Sequence, residues 1–220
     1  MKRITISKNE IIDYSKYSKE SSNFNIRVKR GVKLVLILKN NPADIKVMVG
    51  AKANVTIINY IQKVKKMDTK VQINLVGSGA EANVYYALHG QINDKHIFDI
   101  TMRHQVRNTK GDILIKGVYQ NKSIGKFVGL IKIDKKAQGT NSYFTDNVLL
   151  LDQAMATSIP NLEIEANEVK ASHGSTTGRI NNEQMFYLMS RGLSKTQAKK
   201  MIINGFFQPI FNRLPNDIKL

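Results

Sequence analysis

A short block of small residues occurs twice in this chain: Gly50-Ala51-Lys52-Ala53-Asn54-Val55 returns 29 residues on as Gly79-Ala80-Glu81-Ala82-Asn83-Val84. Each copy is a small-residue corner that opens onto a strand-like run. Corners with less identity follow at Lys136-Ala137-Gln138-Gly139 and Asp152-Gln153-Ala154-Met155-Ala156. From Phe24 to about Lys170, Val- and Ile-rich runs succeed one another between Gly, Asn, Asp or Lys turns. They are 25–28, 33–38, 44–49, 54–60, 71–76, 83–88, 97–102, 113–119 and 126–133. No helical window of useful length interrupts them, which argues against alternating βαβ units. Recurrent small corners between short strands suit a β-solenoid, whose coils bury their apolar faces only by stacking. A β-sandwich has the same strand density and stands as the alternative.

The two ends read differently. Residues 1–22 are polar and mixed, with Ser15, Ser18, Ser21 and Ser22 breaking any period, and are expected to form a lead-in strand or a frayed segment. After Gly178 the period changes to about 3.6. Asn181 can cap a helix with Gln184 in its first turn and Met185, Leu188 and Met189 on one face. Arg191-Gly192 ends it. Ser194 with Gln197 makes a capping box for a second helix carrying Ala198, Met201 and Ile202, which Asn204-Gly205 should close. A third short segment, 206–214, carries Phe206, Phe207, Ile210 and Phe211 ahead of Pro215, more aromatic surface than so small a unit needs. Part of it should dock on the solenoid or on another protein. The expected division is a lead-in over 1–22, a β core over 23–178 and a helical segment over 179–220.

Composition removes several chemistries. The 220 residues contain no Cys, so disulfides, thiolate nucleophiles and thiolate metal ligands are excluded within this sequence. The longest aliphatic run, 32–38, is broken by Lys33 and is too short to cross a bilayer. The basic start lacks the apolar stretch of a signal peptide, so a soluble cytoplasmic protein is expected. The net charge of +17 invites a nucleic-acid partner, but 26 of the 34 basic residues are Lys, scattered over the whole chain and not interleaved with aromatics. Solvated faces are the simpler reading.

Few motifs carry chemistry. Gly77-Ser78-Gly79-Ala80-Glu81-Ala82 satisfies a dinucleotide-binding pattern, yet it opens a strand-like run and not the helix such a site needs. It is read as a corner. No phosphate-binding loop of the G-x-x-x-x-G-K-[ST] type exists. His96 and His104 share parity with Phe98, Ile100 and Met102, which puts both on an apolar face, roughly 26 Å apart along an extended strand and too far to share a metal. His89 reads as a turn residue. His173 stands apart: it lies between small neighbours where a strand ends, close to the change of architecture, and a neutral imidazole there could ligate a metal or shuttle a proton. No Ser/His/Asp order or carboxylate pair accompanies it, so hydrolase chemistry has little support.

His173-Gly174-Ser175-Thr176-Thr177-Gly178, followed by the run 183–193 and by Ile203-Asn204-Gly205-Phe206-Phe207, closely resembles the C-terminal signature of the SufB/SufD family of iron–sulfur cluster assembly proteins. Upstream likeness extends through Lys116-Gly117-Val118, Gly129-Leu130-Ile131, Ala137-Gln138-Gly139-Thr140, the run 147–151 and Pro160-Asn161-Leu162-Glu163-Ile164. The likeness is specific from about Thr101 to Phe211. It implies a right-handed parallel β-helix with a C-terminal helical segment. Asp146 stands where SufB-like chains carry a cysteine, Gly174 follows His173 where they tend to have Glu, and Ala171 replaces a cysteine frequent in SufD, so the sequence looks like a short SufD. The long N-terminal helical region of many SufD proteins is expected to be missing, which puts the functions assigned to it in doubt.

The resemblance further implies a non-enzymatic scaffold that pairs with a SufB-like chain or a second copy of itself. His173 would lie at the cluster-assembly interface and act as a metal ligand, with thiolates coming from the partner. Glu183, Phe186, Tyr187, Met189, Arg191, Gly192, Leu193, Phe206 and Phe207 would dock a SufC-like ATPase. No cofactor would be held stably, although a transient iron–sulfur cluster could form in the complex; neither a membrane nor nucleic acid is an expected partner. A purely structural homodimeric adaptor for an ATPase is the alternative.

Overall fold

The computed structural model describes residues 2–14 and 23–216. Among them, consecutive strands alternate between two seven-stranded parallel sheets. One contains β1 (Lys2–Ile6), β3 (Phe24–Val28), β5 (Ile45–Val49), β7 (Lys66–Leu75), β9 (Lys95–His104), β11 (Ile124–Ile133) and β13 (Met155–Ile164). The other contains β2 (Glu10–Asp13), β4 (Lys33–Lys39), β6 (Asn54–Ile61), β8 (Glu81–Gly90), β10 (Lys110–Tyr119), β12 (Thr140–Leu150) and β14 (Val169–Arg179). Every neighbouring pair is parallel, which the short corners permit only if the chain coils from one sheet to the other and back. This is a β-solenoid; the face-packed sandwich is ruled out.

Alternation along each strand sends every second side chain into the lumen, and in-register pairing stacks those side chains into ladders. One ladder runs Leu36, Ile57, Val84, Ile113, Phe144 through five successive coils. On the facing sheet another runs Ile26, Val47, Ile73, Met102, Ile131. All ten are buried. No coil has an apolar interior of its own without the next, as the repeat demanded.

The register corrects the repeat. Identity aligns Gly50 with Gly79, but the pairing sets Asn54 opposite Glu81, so the residue stacked on Gly50's place is Gly77. The shift of two residues leaves the inward and outward faces unchanged, which is why the strands were legible and the register was not. A Cβ on Gly77 would come within 2.0 Å of the Ala51 nitrogen, so coils approach here as closely as backbone allows. Left-handed residues also stack at this corner: Gly31, Lys52, Gly79, Asn108 and Gly139 all have positive φ. At the opposite corner Ile92, Asn121 and Asp152 form a second such column. Asn121 accepts the Ile92 amide and Asp152 the Asn121 amide, so each polar corner side chain supports the coil before it.

The solenoid begins earlier than residue 23: β1 and β2 already pair with β3 and β4 as a first coil. The serine-rich stretch from Ser15 to Ser22 lies outside the described residues. At the other end, Asn181 caps α1 (Asn182–Ser190), accepting from the amides of Glu183 and Gln184, and Gly192 at φ +93 follows its last turn. The Ser194–Gln197 capping box opens α2 (Lys195–Phe211). The break expected at Asn204-Gly205 is absent, and α2 runs through Gly205 and Pro209 as one helix. Ile203, Phe207 and Ile210, at i, i+4 and i+7, are buried on the outer face of the even-numbered sheet with Ile58, Tyr85, Ala87 and Val118. Burial of that stripe outweighs the roughly 1 kcal/mol by which a helical glycine is disfavoured. No helix of the described residues is long and apolar enough to cross a membrane.

Candidate functional site

Histidines separate into three environments. His96 and His104 point into the lumen, as their parity predicted, and both are closed off from solvent. Nε2 of His96 lies 2.6 Å from the Val64 carbonyl, so it carries the proton, and Nδ1 accepts from the Tyr119 hydroxyl at 3.1 Å. His104 is held between the hydroxyls of Thr109 (2.8 Å) and Ser142 (3.0 Å), and burial pushes its pKa down to about 4. These are satisfied interior groups with no open coordination position. His89 is not a turn residue: it sits near the end of β8 on the outward face, buried beneath α2 with its ring 6.0 Å from that of Phe207.

His173 is placed differently from expectation. It is the fifth of eleven residues in β14, well inside the strand and not at its end. Pairing puts it directly on Phe144, so it continues the ladder Leu36–Ile57–Val84–Ile113–Phe144 and occupies the inner face of the last coil. Unlike the five residues beneath it, His173 is exposed, because among the described residues no strand covers β14. The final coil, β13 and β14, is an open sheet edge whose inner face carries Leu162 and Ile164 from one strand and Ala171, His173 and Ser175 from the other. Both Leu162 and Ile164 are exposed.

Beside His173 lies a group that sequence reasoning compared with relatives but did not assign. Asp146, on β12, is 0% exposed and registers with Ser175. Its carboxylate accepts from Ser175 Oγ at 2.5 Å and from Ser158 Oγ of β13. One rung below the rim, hydroxyls from both strands of the open coil thus converge on one carboxylate. Spacing alone could not reveal it, because the three residues come from different strands. Among the described residues no group of three or more His, Asp or Glu side chains could hold a metal. An imidazole at the rim is one ligand, and a complete donor set needs atoms from elsewhere.

The helical residues divide into exposed and interior. Phe186 is 74% exposed, with Tyr187, Met189 and Met201 also open to solvent. Arg191 lies 5.3 Å from the Tyr187 ring, and the Leu193 amide returns to the Leu188 carbonyl past Gly192. Glu183 stands in the first turn of α1, at the edge of a groove of about 450 Å³ shared with Gln184, Tyr187, Leu188, Met201 and Ile202. Phe206 is half-buried beneath Lys116, whose ammonium lies 4.2 Å from the ring centroid. Phe207, expected to face a partner, is only 1% exposed and packs against Tyr60 and Phe211. Its place in the i, i+4, i+7 stripe turns it to the solenoid.

The family model for the SUF system FeS cluster assembly SufBD core domain matches residues 40–206. The chain belongs to the SufBD family. The SufBD chain is 35% identical over 115 residues to an iron–sulfur cluster assembly SufBD family protein of Synechocystis sp., covering 52% of this chain and 24% of that one. A SufBD family protein of Mycobacterium tuberculosis is 34% identical over 154 residues, 64% of this chain and 38% of the relative. One from Staphylococcus aureus is 31% identical over 145 residues, 64% and 30% respectively. The SufBD chain therefore matches well under half the length of these curated relatives. The matched region takes in nearly all of the solenoid above its first coils, the rim with His173, and α1 with most of α2.

Proposed function

We propose that this SufBD chain is a scaffold subunit of iron–sulfur cluster assembly. It pairs through the open coil β13–β14 with a SufB-like chain or a second copy of itself, and it binds a SufC-like ATPase through α1 and the exposed edge of α2. The observation that carries the reading is the placement of His173 on the inner face of an uncovered rim. A parallel sheet edge with exposed apolar residues is normally protected. Here no described residue covers it, and it presents an imidazole suited to iron where a partner would arrive. Since the sequence has no Cys, sulfur ligands come from the partner. The chain acts by holding and presenting groups, not by turning over a substrate of its own. Movement of the ATPase would be relayed through α2, whose buried stripe ties it to the sheet.

Co-expression with a SufC-like ATPase and a cysteine-bearing SufB-like chain tests this. His173→Ala should preserve the complex and abolish cluster formation, read by the iron–sulfur absorption and by maturation of a client enzyme. Phe186→Asp with Tyr187→Asp should release the ATPase and leave β-helix pairing intact. Normal cluster formation by His173→Ala would remove the site. A lone homodimer that binds the ATPase, and is indifferent to His173, would establish the adaptor reading, which the missing thiolates favour.

A further inference from the structure

A second cavity lies away from the rim. Where the even-numbered sheet ends, the first turns of α2 pass over the strand termini and leave a cleft of about 580 Å³, within the size range of small-molecule sites. Three ammonium groups line it, from Lys195, Lys199 and Lys200, and no carboxylate does. Its floor is amide-rich. Gln62 follows β6 beside His89, and Gln91 and Gln120 follow β8 and β10 one coil apart.

The floor is organised, not merely polar. The side-chain nitrogens of Gln91 and Gln120 lie 3.4 and 3.2 Å from His89 Nε2 and share its single lone pair. That fixes the neutral imidazole with its proton on Nδ1 and turns the two carboxamides toward one point. Burial and then Lys199 both lower the His89 pKa, so the site's positive charge belongs to the lysines. Two carboxylates lie close by: Asp94 accepts the Gln91 backbone amide at 2.9 Å, and Asp152 pairs with Lys199 at 3.6 Å and offsets part of its charge, which leaves Lys195 and Lys200 as the main positive groups of the cleft. The Ser194 side chain satisfies the Gln197 amide, while those of Lys195 and Thr196 have no carbonyl within the helix to meet. Positive side chains around a partly open cleft at the start of a helix together favour phosphate oxygens. The carboxamides offer both donors and acceptors for the rest of a molecule.

We propose that this cleft binds a phosphate-bearing small molecule of nucleotide size, phosphates toward Lys195, Lys199 and Lys200, and the remainder over Gln62, Gln91 and Gln120. Neither the rim nor ATPase docking is needed for it. The test is calorimetric titration of the full chain at low salt with ADP, inorganic pyrophosphate and adenosine. ADP and pyrophosphate should bind saturably at one site, and adenosine at least tenfold more weakly. Lys195→Gln with Lys200→Gln, both exposed, should weaken ADP at least tenfold with an unchanged circular-dichroism spectrum. Lys66→Gln with Lys70→Gln, on the outer face of the other sheet, should change it less than twofold. Absence of saturable binding would overturn the proposal. So would equal losses in the two double variants, which mean diffuse attraction to a +17 chain, or an acidic peptide outcompeting ADP, which means a protein partner.

Discussion

Replacing Ile92 by asparagine should stabilise the protein, although it removes an isoleucine. Ile92 sits at φ +57 in the column it shares with Asn121 (φ +61) and Asp152 (φ +56). A left-handed backbone costs a residue with a Cβ about 1–2 kcal/mol, and asparagine tolerates it best after glycine. Little is lost in exchange, because Ile92 is 68% exposed. Full burial of such a side chain contributes about 1.5–3 kcal/mol, so the third that is covered contributes roughly 0.5–1. The net gain is up to about 1 kcal/mol, or a rise of about 2–4 °C in Tm for a chain this size. The converse substitution, Asn121→Ile, imposes the same strain and removes the 3.1 Å hydrogen bond that Asn121 Oδ1 accepts from the Ile92 amide. That bond adds about 1 kcal/mol, for a loss near 2–3 kcal/mol in all. Calorimetric melting of the two variants beside the parent decides the matter. A lower Tm for Ile92→Asn, or an unchanged one for Asn121→Ile, would refute the idea that corner conformation limits stability.

Three further outcomes are expected. Gly77→Ala drives a Cβ into the Ala51 backbone, so urea unfolding should show a loss of at least about 1–3 kcal/mol, the range for overpacking that side chains can relieve. Stability should fall with acidification, because burial holds folded His104 near pH 4 while the unfolded chain takes up its proton near 6.5. The contribution is complete above pH 6.5 and declines towards pH 4, by roughly 3 kcal/mol in total; His89 and His96, also lowered, act in the same direction. His104→Gln should flatten the urea midpoint between pH 7 and 5, and an unaltered slope would assign the acid sensitivity elsewhere. Phe207→Ala should cost about 3–5 kcal/mol and detach α2, measured by limited proteolysis after Lys195 or Lys199. A variant as resistant as the parent would mean that the stripe does not anchor the helix.

The coils were legible because solenoid physics writes itself locally: alternating apolar residues, small corners and no helical interruption. The two capped helix starts were legible for the same reason, since Asn181 and Ser194 act on amides two or three residues away. Register was not. Gly50 aligns by identity with Gly79 but stacks by pairing with Gly77, since coil length varies from coil to coil and a two-residue slip costs no change of face. The continuous α2 was hidden as well, because Gly205 and Pro209 speak locally for a break and only the apolar surface of another element overrides them. His173 could be singled out from its small neighbours, but its continuation of the Phe144 ladder could not. Asp146 with Ser158 and Ser175, like the cleft beneath α2, is assembled from residues far apart in sequence that only stacking brings together.

Among the described residues the last turn of the solenoid is an unfinished template: a straight row of amides and carbonyls that no further strand pairs. Such a row recruits any extended segment that meets it. Yield in solution should therefore depend on cognate cover being made at the same time and place. Expressed alone at high level, the polypeptide should pair with itself or precipitate; expressed alongside the chain that completes its sheet, it should remain dispersed.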